Sequence, residues 1–148
     1  MWGSARIELL HGVNLDQLGS RDPTHYGSLT LTQLEAGVRQ YAAARGFQLS
    51  CFQTNHEGVY VERLHAARDS VKGLILNPGA WTHYSYAIRD ALELTGLPAV
   101  EVHLSDVQER EEFRRHSVIG ELCVATVAGK GVDGYVEAVE ILAKEMSS

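Results

Sequence analysis

A chain of 148 residues, 45% hydrophobic and 22% charged, has the make-up of one globular domain large enough to bury a core. Its net charge of -6 argues against nucleic acid as the main partner, because phosphate binding calls for a basic face. No stretch approaches the ~20 apolar residues of a membrane span, and no charged segment leads into an apolar run; the expectation is a cytoplasmic protein with no signal peptide and no membrane partner.

The first strand-like run is Ile7–Leu10. A polar loop from about Gly12 to Ser28 follows, far longer than the ~2–6 residues that usually join a strand to a helix. Leu31, Leu34, Val38 and Tyr41 then share one helical face, and Thr30 and Gln33 have capping-box spacing. After a second strand, Gln48–Gln53, Asn55 is placed to cap a helix through Val59, Leu64 and Ala67. A third strand, Gly73–Leu76, leads to Thr82, a candidate cap for a helix holding Ala87, Ile88, Ala91 and Leu92 that Gly96 and Pro98 would stop. Ala99–His103 reads as the fourth strand, residues 105–115 as a loop with a short helix, and Leu122–Ala128 as the fifth strand. The last helix carries Tyr135, Val136, Val139 and Leu142. Strands alternating with helices predict a five-stranded parallel sheet covered on both faces, in a flavodoxin-like doubly wound α/β fold formed as a single domain over residues 1–148.

In such sheets ligands bind beyond the carboxyl ends of the strands. Asn14, Arg21 and Tyr26 follow strand one; Asn55, His56 and Glu57 follow strand two; residues 77–83 follow strand three; Arg110, Arg114 and Arg115 come after strand four. Hydrogen-bonding and cationic groups thus converge on one rim. Glu101 and His103 lie two apart on a strand and face the same way, as two metal ligands would, or as a carboxylate orienting an imidazole. With no third ligand in view and no H-E-x-x-H or C-x-x-C motif, no metal is expected. Residues 129–134, GKGVDG, match the dinucleotide fingerprint in form, but no strand follows to bring a ribose-binding acid; a tight turn and close helix packing explain the glycines better. There is no G-x-S-x-G elbow, and Lys72, Lys130 and Lys144 sit at a strand start, a turn and a surface helix, which disfavours covalent catalysis. Cys51 and Cys123 lie in apolar runs and read as reduced core residues. Arg21 shares the first loop with Tyr26; a tyrosine with an ordinary pKa near ~10 is a poor base at neutral pH, and a neighbouring guanidinium favours its phenolate. One base on that loop and one acid, His103, on another strand of the same rim would suit an elimination.

Four stretches, GVNLDQLGSRDPTHYG (12–27), FQTNHEG (52–58), LILNPGAWTHYSYAIRDAL (74–92) and VEVHLSDVQEREEFRRHSVI (100–119), together resemble the type II 3-dehydroquinate dehydratases, and the likeness spans nearly the whole chain. The resemblance implies a hydro-lyase that needs neither cofactor, metal nor Schiff base and assembles as a homo-dodecamer built of trimers. It implies Tyr26 as the base that takes the C2 proton of 3-dehydroquinate, Arg21 as the group favouring its phenolate, Asn14 with a water at the enolate, and His103 as the acid at the C1 hydroxyl with Glu101 as its partner. Asn77, His83, Arg114 and the Leu104–Ser105 backbone would hold the substrate's hydroxyls and carboxylate. Arg110 would stand near the tyrosine, and Asp90 would reach a neighbouring subunit's site. The long first loop would then be a lid. His11, Val13 and Trp81 depart from the usual pattern. A relative acting on an amino- or otherwise modified dehydroquinate would use the same site. A flavodoxin-like binding or receiver module fits poorly, since Asn77-Pro78 stands where a receiver needs an aspartate and an Arg-Tyr loop where a flavin module needs a phosphate cradle.

Overall fold

The computed structural model describes residues 5–20 and 28–147, so Arg21, His25 and Tyr26 lie outside the described residues. Five parallel strands, β1 (Ala5–His11), β2 (Phe47–Gln53), β3 (Gly73–Asn77), β4 (Ala99–His103) and β5 (Ala125–Ala128), run in the order β2-β1-β3-β4-β5. Every residue of β3 and β4 is buried, as expected of inner strands covered on both faces. Four helices, α1 (Leu31–Ala44), α2 (Glu57–Ala67), α3 (Tyr86–Thr95) and α4 (Asp133–Met146), supply those covers. Ile7, Leu9, Val100 and Val102 meet Leu34 and Val38 of α1 and Tyr135 and Val139 of α4 on one face. Leu10, Leu74 and Leu76 meet Tyr60 and Leu64 of α2 and Ile88 and Leu92 of α3 on the other. Each such aliphatic side chain, fully buried, contributes about 1.5–3 kcal/mol. The expected doubly wound sheet is therefore present. Among the described residues no helix is long and apolar enough to cross a membrane.

Local chemistry sets the helix ends. Thr30 and Gln33 form the expected capping box at α1, and Gly96, at φ 65°, closes α3 in the left-handed region. Two expected caps are wrong. The Ser85 hydroxyl, not Thr82, accepts the Ile88 N–H and caps α3; Gly79–His83 forms a 3-10 turn instead, with Thr82 buried inside it. His56 occupies the cap position of α2, while the Asn55 side chain turns back to accept the Asn14 N–H at 2.8 Å. The fifth strand starts at Ala125 rather than Leu122, because Gly120–Leu122 is a second 3-10 turn. The expected short helix after β4 is a pair of 3-10 turns, Val107–Glu109 and Glu112–Arg115.

The glycines of GKGVDG serve a turn and a close packing contact. Gly129 N–H donates to the His103 and Ser105 carbonyls, and Gly131 N–H to that of Leu104, so the loop is a strut under the end of β4. Gly134 brings α4 close to the sheet: a Cβ there would stand 3.3 Å from both Val102 and Val127. Gly12 has a sterner requirement, since its Cβ would fall 2.2 Å from the Pro78 carbonyl oxygen where the ends of β1 and β3 come together.

Two charged groups lie within the layers. Glu8 on β1 is 2% exposed; Arg63 of α2 grips both its oxygens, at 2.7 and 2.9 Å, and the Ser50 hydroxyl adds a third donor. His11 is fully buried at the end of β1, with Nε2 3.0 Å from a Glu35 carboxylate oxygen of α1 but not aligned for a hydrogen bond, and with no partner for Nδ1 among the described residues. Trp81 packs edge-on against Tyr60, ring centroids 5.6 Å apart, so this departure from the usual pattern is part of the core under α3. Cys51 and Cys123 are free thiols; burial above all pushes each up to about 12, which keeps them protonated and unreactive near neutrality.

Candidate active site

A cavity of about 130 Å³ opens where the strand order reverses, between the ends of β1 and β3, and extends across the end of β4. Its walls are Val13, Asn14 and Leu15 after β1; Asn77, Gly79, Ala80 and His83 at and after β3; and His103, Leu104, Ser105, Val107, Arg110 and Arg114 from β4 onward. Segments far apart in sequence meet here because parallel strands all end on one side of the sheet.

The centre of the site is a carboxylate–imidazole pair. Glu101 and His103 point to the same face of β4, and His103 Nε2 lies 2.6 Å from Glu101 Oε2. Glu101 is entirely buried, and His103, 8% exposed, separates it from the cavity. Burial is the largest influence on the Glu101 carboxyl and pushes it up; hydrogen bonds from His103, Thr82 and Ser117 outweigh that and leave it below the usual glutamate range, hence ionised. An ionised Glu101 accepts from His103, so Nε2 carries a proton and Nδ1 is the other ring nitrogen.

The His83 ring lies parallel to that of His103, tilted by 14° with centroids 6.5 Å apart, and Phe113 meets it edge-on at 5.8 Å. His83 Nδ1 is 2.7 Å from the His116 carbonyl oxygen; an oxygen there can only accept, so the proton is on Nδ1 and Nε2 is left as an acceptor. Burial first, with the nearby His103 and Arg114 charges, holds His83 below the usual histidine range in spite of that bond, which keeps the ring neutral near pH 7. Arg114 stacks its guanidinium over Phe113 at 4.6 Å and pairs with Glu111 at 3.0 Å. Arg110 reaches the Ser105 hydroxyl at 3.4 Å. Two guanidinium groups at the mouth and a neutral histidine inside suit a small anion better than a cation.

Asn77 and Asn14 line the wall differently. The Asn77 amide donates to the Tyr135 hydroxyl at 2.8 Å and accepts from Gly79 N–H at 3.1 Å, so the protein itself sets its orientation. Asn14 is the one non-glycine among the described residues with positive φ, at 70°, a conformation asparagine tolerates better than most residues. Asp90 lies on the exposed face of α3, outside the cavity of its own chain. The structure thus brings together Asn14, Asn77, His83, Glu101, His103, Leu104, Ser105, Arg110 and Arg114, leaves Asp90 apart, and does not describe Arg21 or Tyr26. Among the described residues no three His, Cys, Asp or Glu side chains are grouped as a metal ion would need. Ser117, in a stretch without periodicity, and Thr82, which in sequence resembles a cap, both donate their hydroxyl protons to Glu101.

The family model for class II dehydroquinases matches residues 5–143. The 3-dehydroquinate dehydratase of Pelobacter propionicus is 52% identical over 131 residues, 88% of each chain. The crystal structure of a type II dehydroquinase from Propionibacterium acnes superposes with a TM-score of 0.92 at 39% identity, over 97% of this chain and 99% of that one. That of a type II dehydroquinase from Butyrivibrio crossotus gives 0.91 at 38% identity, over 95% and 99%. A match of this extent, to a sheet whose strand ends hold a Glu–His pair over a cation-rimmed cavity, leaves one conclusion: the chain belongs to the class II dehydroquinase family of enzymes.

Proposed function

We propose that this chain dehydrates 3-dehydroquinate to 3-dehydroshikimate by an anti elimination through an enolate, without metal or imine. Tyr26, made the phenolate by Arg21, takes the C2 proton, which the adjacent ketone acidifies. Asn14, with a water, stabilises the enolate oxygen; preorganised donors at such a site are worth a few kcal/mol. His103 then gives its proton to the C1 hydroxyl as the C–O bond breaks, and water leaves; hydroxide alone is too poor a leaving group. Asn77, His83, Arg110, Arg114 and the Leu104–Ser105 backbone hold the substrate. The observation that carries this reading is the 2.6 Å Glu101–His103 contact facing a cavity rimmed by Arg110 and Arg114. The test is incubation with 3-dehydroquinate while following the conjugated enone absorbance of 3-dehydroshikimate; no rise in absorbance with folded protein would end the proposal.

The same reading includes a dodecamer of trimers in which Asp90 serves a neighbouring site. Tyr84, Tyr86 and Leu94, 59, 67 and 62% exposed, lie on or beside the helix that carries Asp90, an apolar surface suited to a subunit contact. Light scattering from an active sample should report a multisubunit particle; a fully active monomer would refute the assembly.

A further inference from the structure

The hydroxyls behind Glu101 have a proton count that fixes their direction. Ser117 Oγ receives the backbone N–H groups of Ile119 at 3.2 Å and Gly120 at 3.0 Å, which fills its acceptor side. Its single proton is therefore left for Glu101 Oε1, 2.8 Å away. Thr82 Oγ1 gives its proton to Glu101 Oε2, the oxygen that also faces His103. The two hydroxyls are 3.3 Å apart, but with both protons committed neither is free to donate to the other. Each carboxylate oxygen thus has a close hydroxyl donor, Oε1 a longer second one from Thr126 at 3.4 Å, and the arrangement suits an anion, not a carboxylic acid.

The segment that presents Ser117 is fastened for the purpose. His116 carbonyl receives His83 Nδ1, Val118 N–H donates to the Thr82 carbonyl at 2.8 Å, and Arg89 reaches the Val118 carbonyl at 2.6 Å. Residues 116–120 are thereby strapped to the 3-10 turn that carries Thr82 and His83.

We propose that Ser117 and Thr82 are positioning residues for the dehydration: their hydroxyl protons stabilise the Glu101 carboxylate left behind when His103 gives up its proton, and so make the Glu101–His103 pair a stronger acid. This rests on the assignment of His103 as the acid. Before donation the imidazolium neutralises Glu101; after it the buried carboxylate stands alone, and only its hydroxyl donors remain. Without them the pair holds its proton more tightly and delivers it more slowly. The other ionisable groups facing the pair are His83 from the 3-10 turn, Arg110 and Arg114 across the cavity, and Cys123 and Tyr60 behind Glu101. His83 is held below the usual histidine range and the Cys123 thiol is pushed up to about 12.

The test compares Thr82→Val, which removes a hydroxyl at nearly constant shape, with Ser117→Ala and Ser117→Thr. Steady-state rates on 3-dehydroquinate should show kcat lowered roughly three- to ten-fold in Thr82→Val and Ser117→Ala, equivalent to ~0.7–1.4 kcal/mol on the barrier, with KM within about two-fold. The alkaline limb of kcat should move up by about half to one pH unit in both, whereas Ser117→Thr keeps its hydroxyl and should behave as wild type. NMR titration of the pair in the free protein should show the same upward shift without substrate. If Ser117→Ala fails to fold, Thr82→Val and Ser117→Thr still decide. A Thr82→Val enzyme with wild-type kcat and limb overturns the proposal, as does a lowered kcat with an unmoved limb, which would mean lost packing alone. Glu101→Gln separates the two levels: if it too keeps wild-type kcat, the pair itself is not the acid; if it falls while Thr82→Val does not, only the role of the hydroxyls is lost.

Discussion

Replacing Glu101 by glutamine exchanges one oxygen for an NH2 group and should remove most of the turnover. The carboxylate accepts from His103 and Thr82 on Oε2 and from Ser117 and, at 3.4 Å, Thr126 on Oε1. An amide cannot serve all four. With its NH2 at the first position it faces two donors; with the oxygen there, the NH2 faces a Ser117 oxygen whose acceptor side is already filled by Ile119 and Gly120. The second orientation is the less costly. It keeps a neutral bond to His103 but loses the charge that favours the imidazolium, a charge-assisted hydrogen bond worth about 1.5–3 kcal/mol. Taken as the cost of having His103 protonated before it donates, that is a fall in kcat of roughly ten- to hundred-fold. KM should change little, because Glu101 is fully buried and does not line the cavity. Stability gives an independent check. The folded-state carboxyl lies below its unfolded value, so its contribution is present above the unfolded pKa of ~4.3 and is lost as pH falls through the folded value. The stability gap between wild type and the variant should therefore narrow on acidification below about pH 4. Steady-state kinetics by enone absorbance and urea melts between neutral and acid pH measure both effects. Wild-type kcat across the range, or a loss confined to KM, would refute the reasoning.

Three further perturbations probe other parts of the molecule. Tyr26→Phe should lower kcat by at least about a hundred-fold, the scale of losing a general base, while thermal unfolding is unchanged; near-normal turnover would remove Tyr26 as the base. Arg63→Ala should strand the nearly buried Glu8 and cost about 2–3 kcal/mol, less than the ~3–5 of a wholly buried pair because Arg63 is partly exposed, and a melt within ~1 °C of wild type would contradict this. Gly12→Ala should drive the ends of β1 and β3 apart, since the new Cβ meets Pro78 backbone that cannot rotate away; kcat/KM should fall roughly ten-fold or more, and an unaltered value would show the loops are less tightly joined than their contact implies.

The architecture is legible in the sequence because inner parallel strands are buried on both faces and so appear as apolar runs, as β3 and β4 do. The Glu101–His103 contact is legible for a similar reason, since a strand's two-residue period puts both side chains on one face. What stays hidden depends on distant partners. Thr82 precedes an apolar helical pattern and looks like a cap, but its hydroxyl goes to a carboxylate 19 residues further along the chain. Ser117 sits in a polar stretch with no periodicity, and its bond to Glu101 spans 16 residues. Asn55 has the chemistry of a cap and instead receives a backbone N–H 41 residues away. Propensity describes what a residue can do locally; it is silent when a partner across the sheet competes and wins. The roles of Arg21 and Tyr26 rest on the family pattern together with the physics of a phenolate beside a guanidinium.

Asn14 is subject to two demands at once, and this bears on how the site can evolve. Its φ of 70° lies where a β-branched or bulky side chain meets its own backbone, while its N–H is fastened to Asn55. Even with no substrate to recognise, the backbone alone restricts the position to asparagine, aspartate or glycine at little cost. Of these, glycine keeps the turn and discards the carboxamide, and aspartate keeps the turn and would put a negative charge beside the enolate proposed to form there. A lineage drifting through neighbouring sequences has almost no neutral step available here. Invariance at this position among relatives would therefore record the shape of the turn as much as the chemistry of the reaction.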